Sequence, residues 1–222
     1  MIRKRHLYLY EALAALFIAT LIVSNIASVK LVGIGPVIFD AGTVLFPLAY
    51  IVGGIVTEVY GFRRMRTLLY IGIGMLLLAT LTFWAVGQLP NAADWAGQAA
   101  YEQTLGVVWR IVLASCTAIF VGELINSYLL ARWKVQTKGA YLWRRVIGSS
   151  AVGSLLDTVI FSVIAFAGTV PASTLMSLIA TVYVIKLGVE ILASPLTIRA
   201  ISYIKRLEQV DTYETPNLSL TR

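Results

Sequence analysis

The sequence predicts an all-α integral membrane protein, a six-transmembrane-helix bundle that residues 1–222 form as a single transmembrane domain. Three observations predict this fold class. The 222 residues are 59% apolar and only 13% charged, whereas a soluble domain has about 45–50% apolar and about 25% charged residues. The mean hydropathy is +0.82. The apolar residues also fall in continuous runs, and a helical span needs about 20 residues.

Six apolar runs predict the spans, taken in chain order. They cover residues 8–32, 43–60, 67–88, 109–132, 146–168 and 172–204. Because each run is continuous, it does not fit the alternating segments of a transmembrane barrel. Six spans would use roughly 120 residues, which leaves loops and tails but no separate soluble catalytic domain.

Basic residues occur at every second connection, and this pattern predicts the topology. The basic positions are Arg3, Lys4 and Arg5; Arg63, Arg64 and Arg66; Arg132, Lys134, Lys138, Arg144 and Arg145; and Arg199, Lys205, Arg206 and Arg222. The intervening loops, 33–42, 89–108 and 169–171, contain no Lys or Arg. The positive-inside rule then predicts both termini in the cytoplasm. We expect the membrane to be a bacterial or archaeal plasma membrane. The net charge of +7 therefore indicates orientation among membrane lipids and requires no nucleic-acid partner.

The composition argues against several kinds of chemistry. The chain has one histidine, His6, and one cysteine, Cys116, which is too few for a multi-His or Cys-based metal site or an intrachain disulfide. The sequence contains no GxxxxGK[ST], HExxH or GxSxG motif. We therefore expect no metal, no cofactor and no catalytic residues, and we expect that this chain hydrolyses no ATP itself.

Polar groups inside the spans are the candidate site. A charge at the bilayer centre costs about 2.5–3.5 kcal/mol on insertion scales, so such residues persist where they pair or line a cavity. At a rise of 1.5 Å per residue, polar groups on four spans reach a similar depth near the midplane, where transporters commonly bind substrate. These predicted substrate-binding residues are Asn25, Glu123, Asn126, Asp157, Lys186 and Glu190.

Lys186 is the only cation in this set, so we expect it to pair with Glu190 one turn away, with Asp157 or with Glu123. Such pairs could instead only hold the bundle together, but three carboxylates at one level favour a functional cavity. Glu58 also has two interpretations, an interfacial ion pair with Arg63 or Arg64 and a substrate contact. Four aromatic residues are expected mainly to pack and secondarily to contact a ligand: Phe46, Tyr50, Phe161 and Tyr183.

Several stretches resemble the queuosine precursor transporter family, also called the vitamin uptake transporter family. They are SNIASVK (24–30), FDAGTVLFPLAY (39–50), TEVYG (57–61), residues 122–161, YVIKLGVEILASPLT (183–197) and KRLEQVD (205–211). The resemblance implies helices arranged like the substrate-binding subunits of energy-coupling-factor vitamin transporters, and import of 7-deazaguanine precursors of queuosine. It also implies functional roles for the six candidates and for Arg145 at the cytoplasmic edge. The chain departs from the family pattern at Gly54, where an acidic residue is frequent, and at Ser154, where Gln is frequent.

The chemistry of the candidates suits such a base. A deazaguanine presents N1–H and a 2-amino group on one edge, and a carboxylate such as Glu123 or Asp157 accepts both donors. Lys186 or Asn126 could donate to the carbonyl oxygen. An aminomethyl precursor is cationic and would use a second carboxylate.

The leading hypothesis is a membrane transporter that imports a queuosine precursor, alone or as a homodimer. In a first alternative, the chain only binds a vitamin or nucleobase and needs a separate ATP-driven module, which would dock on the small-residue face of Ala15 and Ala19. A membrane enzyme that uses Glu123 and Asp157 as acid and base is a minor alternative. A structural membrane protein with fully paired charges is another.

Overall fold

The computed structural model describes residues 8–35, 37–106, 108–168 and 170–217, and these are mostly helical. The helices are α1 (Tyr8–Ala27), α2 (Phe46–Tyr60), α3 (Phe62–Gly87), α4 (Gln98–Tyr101), α5 (Val108–Gln136), α6 (Leu142–Phe166) and α7 (Ala172–Glu208). An antiparallel hairpin of β1 (Leu31–Ile34) and β2 (Val37–Asp40) and a 3-10 helix (Ala41–Val44) follow α1, and a π-helical turn (Glu102–Gly106) precedes α5. The predicted basic positions Arg3, Lys4, Arg5 and Arg222, with His6, lie outside the described residues.

Among the described residues, five helical segments are long and apolar enough to cross a membrane. They are Tyr8–Ala27, Phe62–Gly87, Gln98–Gln136, Leu142–Phe166 and Ala172–Glu208. The predicted span 43–60 is different, because α2 has only 15 residues. At 1.5 Å per residue it extends about 22 Å, against about 30 Å for the hydrocarbon core of a bilayer. The chain enters α2 through the 3-10 helix, which Asp40 caps by accepting from the Thr43 amide at 3.1 Å.

Two connections differ from the expected loops. Gly61 alone separates α2 from α3, so Arg63, Arg64 and Arg66 lie in the first turns of a helix. Gly61 has a φ of +94°, a backbone conformation that favours glycine. The strands β1 and β2 take up the last two residues of the predicted span 8–32, whose helix ends at Ala27, and most of the predicted loop 33–42, where no strand was expected.

The start of α1 and the finish of α7 lie at the same end of the bundle. The Leu9 amide donates to the Glu208 carboxylate at 3.0 Å, and the Tyr60 hydroxyl donates to the same carboxylate at 2.6 Å. This end, which we call the basic end, also carries Gly61 and the loop 137–141.

Two glycines allow α5 and α6 to cross at very short range. A Cβ at Gly153 would lie 2.6 Å from the Asn126 Cβ and 2.7 Å from the Gly122 carbonyl oxygen. A Cβ at Gly122 would lie 2.7 Å from the Asp157 Cβ. Such small residues let helix backbones approach closely in membranes. The crossing therefore brings Asn126 and Asp157 to the same level of the bundle.

A network of charges joins the helices at the basic end. Glu58, on α2, is fully buried. Its carboxylate accepts from Arg145 at 2.8 and 3.3 Å and from Lys205 at 2.8 Å. Lys134 lies 3.5 Å from the same carboxylate and also donates to the Glu58 carbonyl oxygen at 2.6 Å. Asp211 forms ion pairs with both Lys134 and Lys205. The network therefore links α2, α5, α6, α7 and the segment after α7.

The predicted pairing of Glu58 with Arg63 or Arg64 is wrong. α3 begins directly after Gly61, and the Arg64 guanidinium lies over the rings of Tyr10 and Tyr60, at 5.4 and 5.8 Å from their centroids. The cations that reach Glu58 come from other helices.

The segment 209–217 folds back over this network. The Thr212 amide donates to the Val59 carbonyl at 3.1 Å, and the Arg63 amide donates to Glu214 at 2.6 Å. Partial burial raises the pKa of Asp211, but hydrogen bonds and attraction from Lys134 and Lys205 outweigh that effect and hold the pKa below its usual value. Asp211 therefore contributes stability above the usual carboxyl pKa of about 4, and loses it as acid protonates the carboxylate.

We expect Gly153→Ala to lower stability by about 1–3 kcal/mol, because the added methyl group overpacks a backbone contact. The measurement is the melting temperature of the purified protein in detergent. Gly74→Ala is the matched control, since a Cβ there meets nothing within 4 Å and alanine favours helix. A Gly153→Ala variant as stable as Gly74→Ala would contradict the close crossing.

We expect Glu58→Gln to lower stability by roughly 3–5 kcal/mol, because it leaves the buried Arg145 and its neighbouring lysines without their central anion. Thermal unfolding in detergent measures the loss. Glu11→Gln makes the same chemical change at an exposed position of α1 and should leave the melting temperature unchanged. Equal melting temperatures for the two variants would show that the network does not stabilise the bundle.

Candidate functional site

The structure gathers buried polar side chains from α2, α5, α6 and α7 near the α5–α6 crossing. We call this group the central cluster: Tyr50, Glu123, Asn126, Asp157, Lys186 and Glu190. Electrostatic interactions connect Tyr50 with all three carboxyl groups, and they connect the carboxyl groups with one another. Five of the six predicted substrate-binding residues therefore lie together.

The centre of the cluster is an ion pair between α7 and α6. Lys186 Nζ lies 2.7 Å from Asp157 Oδ2, and both side chains are buried. The ammonium also lies 4.4 Å from the centroid of the Phe46 ring, within the range of a cation–π interaction. The predicted ion pair of Lys186 is confirmed, with Asp157 as its partner. Glu190, one turn along α7, accepts a hydrogen bond from Ser150 instead.

Glu123 and Asn126 form a second group on α5. The Asn126 amide nitrogen lies 3.4 and 3.3 Å from the two oxygens of Glu123. The Ser127 hydroxyl donates to Glu123 Oε1 at 3.1 Å, and the Thr57 hydroxyl donates to Ser127 at 3.0 Å. Gly53 of α2 makes room for this group, because a Cβ there would collide with the Glu123 carboxylate.

Several polar atoms of this region have no hydrogen-bond partner among the described residues. They are Tyr50 Oη, Asn126 Oδ1, Ser154 Oγ, Asp157 Oδ1 and Glu190 Oε2. More than about 90% of buried polar groups in proteins are paired, so such a concentration is unusual. These atoms are acceptors and hydroxyl groups with which a polar ligand or water could form hydrogen bonds.

A narrow cleft extends from the cluster towards the basic end. Tyr50, Gly54, Ser150 and Glu190 contribute to its wall, with Leu130 among the apolar residues. It has room for about one water molecule, so a nucleobase would enter only if the helices or side chains moved apart.

The remaining predicted residues lie elsewhere. Asn25 is buried on α1, and among the described residues its hydrogen bond goes to the Leu21 carbonyl, at 2.8 Å. Phe161 packs in an apolar group with Ala114, Ala118 and Ala165. The Tyr183 hydroxyl donates to the Ala151 carbonyl at 3.3 Å. Arg145 and Glu58 belong to the basic-end network, where they pair with each other.

Four residues that shape the central cluster and the basic-end network were not predicted to do so from the sequence: Gly53, Thr57, Ser127 and Lys134. Ser127 had a usable signal, because it follows Glu123 by four residues and therefore lies on the same helix face. Gly53 and Thr57 on α2 are recognisable only once α2 is known to face α5.

Comparisons with known proteins support a transport role. The family model described as "Putative vitamin uptake transporter" matches residues 40–200, which include every residue of the central cluster. The "Probable queuosine precursor transporter" of Bacillus subtilis (strain 168) is 30% identical over 176 residues, which cover 78% of this chain and 76% of that protein. No solved structure matches the chain significantly.

The matched region spans most of the chain and contains the crossing, the ion pair and the cleft. These matches identify a transport protein rather than an enzyme. The chain belongs to the vitamin uptake transporter family.

Proposed function

We propose that this chain imports a queuosine precursor, a 7-deazaguanine nucleobase, by way of the central cluster. The observation that carries the proposal is the group of unpartnered polar atoms around the Lys186–Asp157 pair. In a transporter family, a buried polar group of this kind near the middle of the bundle is the expected place for substrate. The name of the Bacillus subtilis relative supports the choice of a queuosine precursor.

The unpartnered atoms suggest how the base is recognised. Asp157 Oδ1 and Glu190 Oε2 are acceptors for the N1–H and 2-amino donors of the base. The Asn126 NH₂ group, rather than its unpartnered Oδ1, donates to the carbonyl oxygen of the base. Glu123 acts through Asn126, since both of its oxygens already accept hydrogen bonds within the protein.

Aromatic and smaller polar residues complete the proposed site. Tyr50 and Phe46 provide the aromatic surface against which a flat ring packs. Asn25, whose Oδ1 has no partner among the described residues, is the contribution of α1. Gly54 lines the cleft, and the buried Ser154 lies one turn from Asp157. These two departures from the family pattern are therefore placed to affect which 7-substituent is accepted.

Orientation and assembly are part of the proposed function. The basic end faces the cytoplasm, as the positive-inside rule requires, and the protein lies in the plasma membrane. It works alone, as a homodimer, or with an energy-coupling module that docks on α1. Ala15 and Ala19 are exposed on that helix, which leaves their face accessible.

We expect purified protein to bind 7-deazaguanine bases, and Asp157→Asn and Lys186→Met each to weaken binding at least tenfold. Hydrogen bonds to charged groups contribute about 1.5–3 kcal/mol, and 1.4 kcal/mol is about tenfold in affinity. Lys186→Met should also lower the melting temperature of the ligand-free protein, because it leaves Asp157 unpaired. Titration calorimetry and thermal unfolding measure both effects, with Glu11→Gln as the control. Wild-type affinity in both variants would exclude the central cluster as the substrate site.

We expect the purified chain alone to take up a 7-deazaguanine base into liposomes, and the Asp157→Asn variant to take up far less. The measurement is the amount of base inside the vesicles over time, compared with protein-free vesicles. Binding without uptake would favour the alternative that a separate energy-coupling module is needed. Absence of both binding and uptake would exclude 7-deazaguanine bases as substrates.

A further inference from the structure

The charges of the central cluster do not balance. Glu123, Asp157 and Glu190 provide three carboxyl groups, and Lys186 is the only cation that forms an ion pair with any of them among the described residues. If all three carboxyl groups were ionised, the buried centre of the bundle would carry an excess of negative charge. Uncompensated charge is strongly disfavoured there, so at least one carboxyl group must gain a proton or a cation.

Glu123 is the carboxyl group with the least access to a cation. Asp157 is paired with Lys186, and Glu190 lies in electrostatic contact with Lys186 and borders the cleft. The groups that face Glu123 from the neighbouring helices are Tyr50 on α2, Asp157 on α6 and Glu190 on α7. Two of these are acidic and the third is neutral at physiological pH. Protonation of Glu123 therefore relieves repulsion without breaking an ion pair.

On this basis we propose that Glu123 is the proton-binding residue of the transporter and that it takes up a proton together with the ligand. This inference rests on the proposed function, since it describes how the same site binds its substrate. It identifies the proton gradient across the membrane as the source of energy for uptake.

Asn126 provides the link between the proton and the ligand. The Asn126 amide nitrogen faces the Glu123 carboxylate, while Asn126 Oδ1 has no partner among the described residues. When Glu123 gains a proton, its O–H becomes a donor and Asn126 turns its oxygen towards it. The Asn126 NH₂ group is then released to donate to the carbonyl oxygen of the base. Proton binding thus creates the donor that the ligand needs, while Lys186 stays with Asp157.

A route for the proton leads from Glu123 towards the basic end. The Ser127 hydroxyl contacts Glu123 Oε1 at 3.1 Å, and the Thr57 hydroxyl contacts Ser127 at 3.0 Å. Hydroxyl groups both donate and accept, so this pair can pass a proton on by rotating. A proton that arrives from outside with the base would leave Glu123 along these hydroxyls.

The test measures the affinity for 7-deazaguanine, which has no ionisable 7-substituent, from mildly acidic to mildly alkaline pH. We expect the wild-type affinity to fall about tenfold per pH unit above the midpoint of Glu123, the slope for uptake of one proton with the ligand. Glu123→Gln keeps a donor where the protonated acid has one, so it should bind the base with an affinity that does not change with pH. Glu11→Gln should keep the wild-type slope. A flat wild-type profile, or an unchanged slope in Glu123→Gln, would overturn the proposal.

Transport provides a second readout. In liposomes with a trapped pH indicator, the wild type should carry protons inwards with the base, and an acidic exterior should drive accumulation. Glu123→Gln should exchange base across the membrane but should neither acidify the interior nor accumulate base under a pH gradient. Accumulation by this variant under the gradient would contradict the role of Glu123.

Infrared spectroscopy separates failure of this inference from failure of the proposed function. A pH titration of ligand-free protein should show a protonated carboxylic acid band that disappears in alkali and is absent from Glu123→Gln. If the wild type binds no deazaguanine at any pH, the proposed substrate is wrong. The infrared band still shows in that case whether Glu123 binds a proton. Absence of the band in the wild type would refute the proton site even if the substrate is correct.

Discussion

Charged groups buried among apolar helices are the constraint on which this bundle depends. Each unpaired charge at the centre of a membrane costs several kcal/mol, so the helices must be arranged for opposite charges to meet. Lys186 and Lys205 both lie on α7, 19 residues apart, which is about 28 Å along a helix. The first reaches Asp157 on α6, and the second reaches Glu58 on α2. These two contacts fix both the height and the rotation of α7 against its neighbours.

The two charged regions differ in how completely their polar atoms are satisfied. At the basic end, both oxygens of Glu58 accept hydrogen bonds from cations, and Arg145 also donates to backbone carbonyls. In the central cluster, Asp157 and Glu190 each keep one oxygen without a partner among the described residues. A saturated network stabilises a single arrangement of helices, whereas an unsaturated one retains the capacity to bind something else. This difference separates the structural charges from the candidate site.

Hydropathy and helical rise predicted much of this arrangement, because both depend on local sequence. They predicted the long helices and placed Glu123, Asp157, Lys186 and Glu190 at one level. Depth is only one coordinate, however, and it does not specify the direction in which a side chain points. Asn25 has a suitable depth, but its hydrogen bond stays within α1.

Partners across the bundle were harder to predict than depths. Glu58 pairs with Arg145, 87 positions away, and with Lys205, 147 positions away. Arg63 and Arg64 are close to Glu58 in sequence but form no ion pair with it, because α3 begins directly after Gly61. The helix α2 was predicted at 43–60 but begins only at Phe46, since an apolar run gives no indication of where the chain changes from a 3-10 helix to an α-helix.

The crossing at Gly122 and Gly153 also limits how the protein can change shape. Helices that touch through their backbones have no side-chain layer between them that could slide or re-pack, so we expect α5 and α6 to move together. Asn126 and Asp157 would then keep their spacing while other helices move. Any movement of α2 and α7 would then take place against a fixed α5–α6 pair, about the Lys186–Asp157 contact.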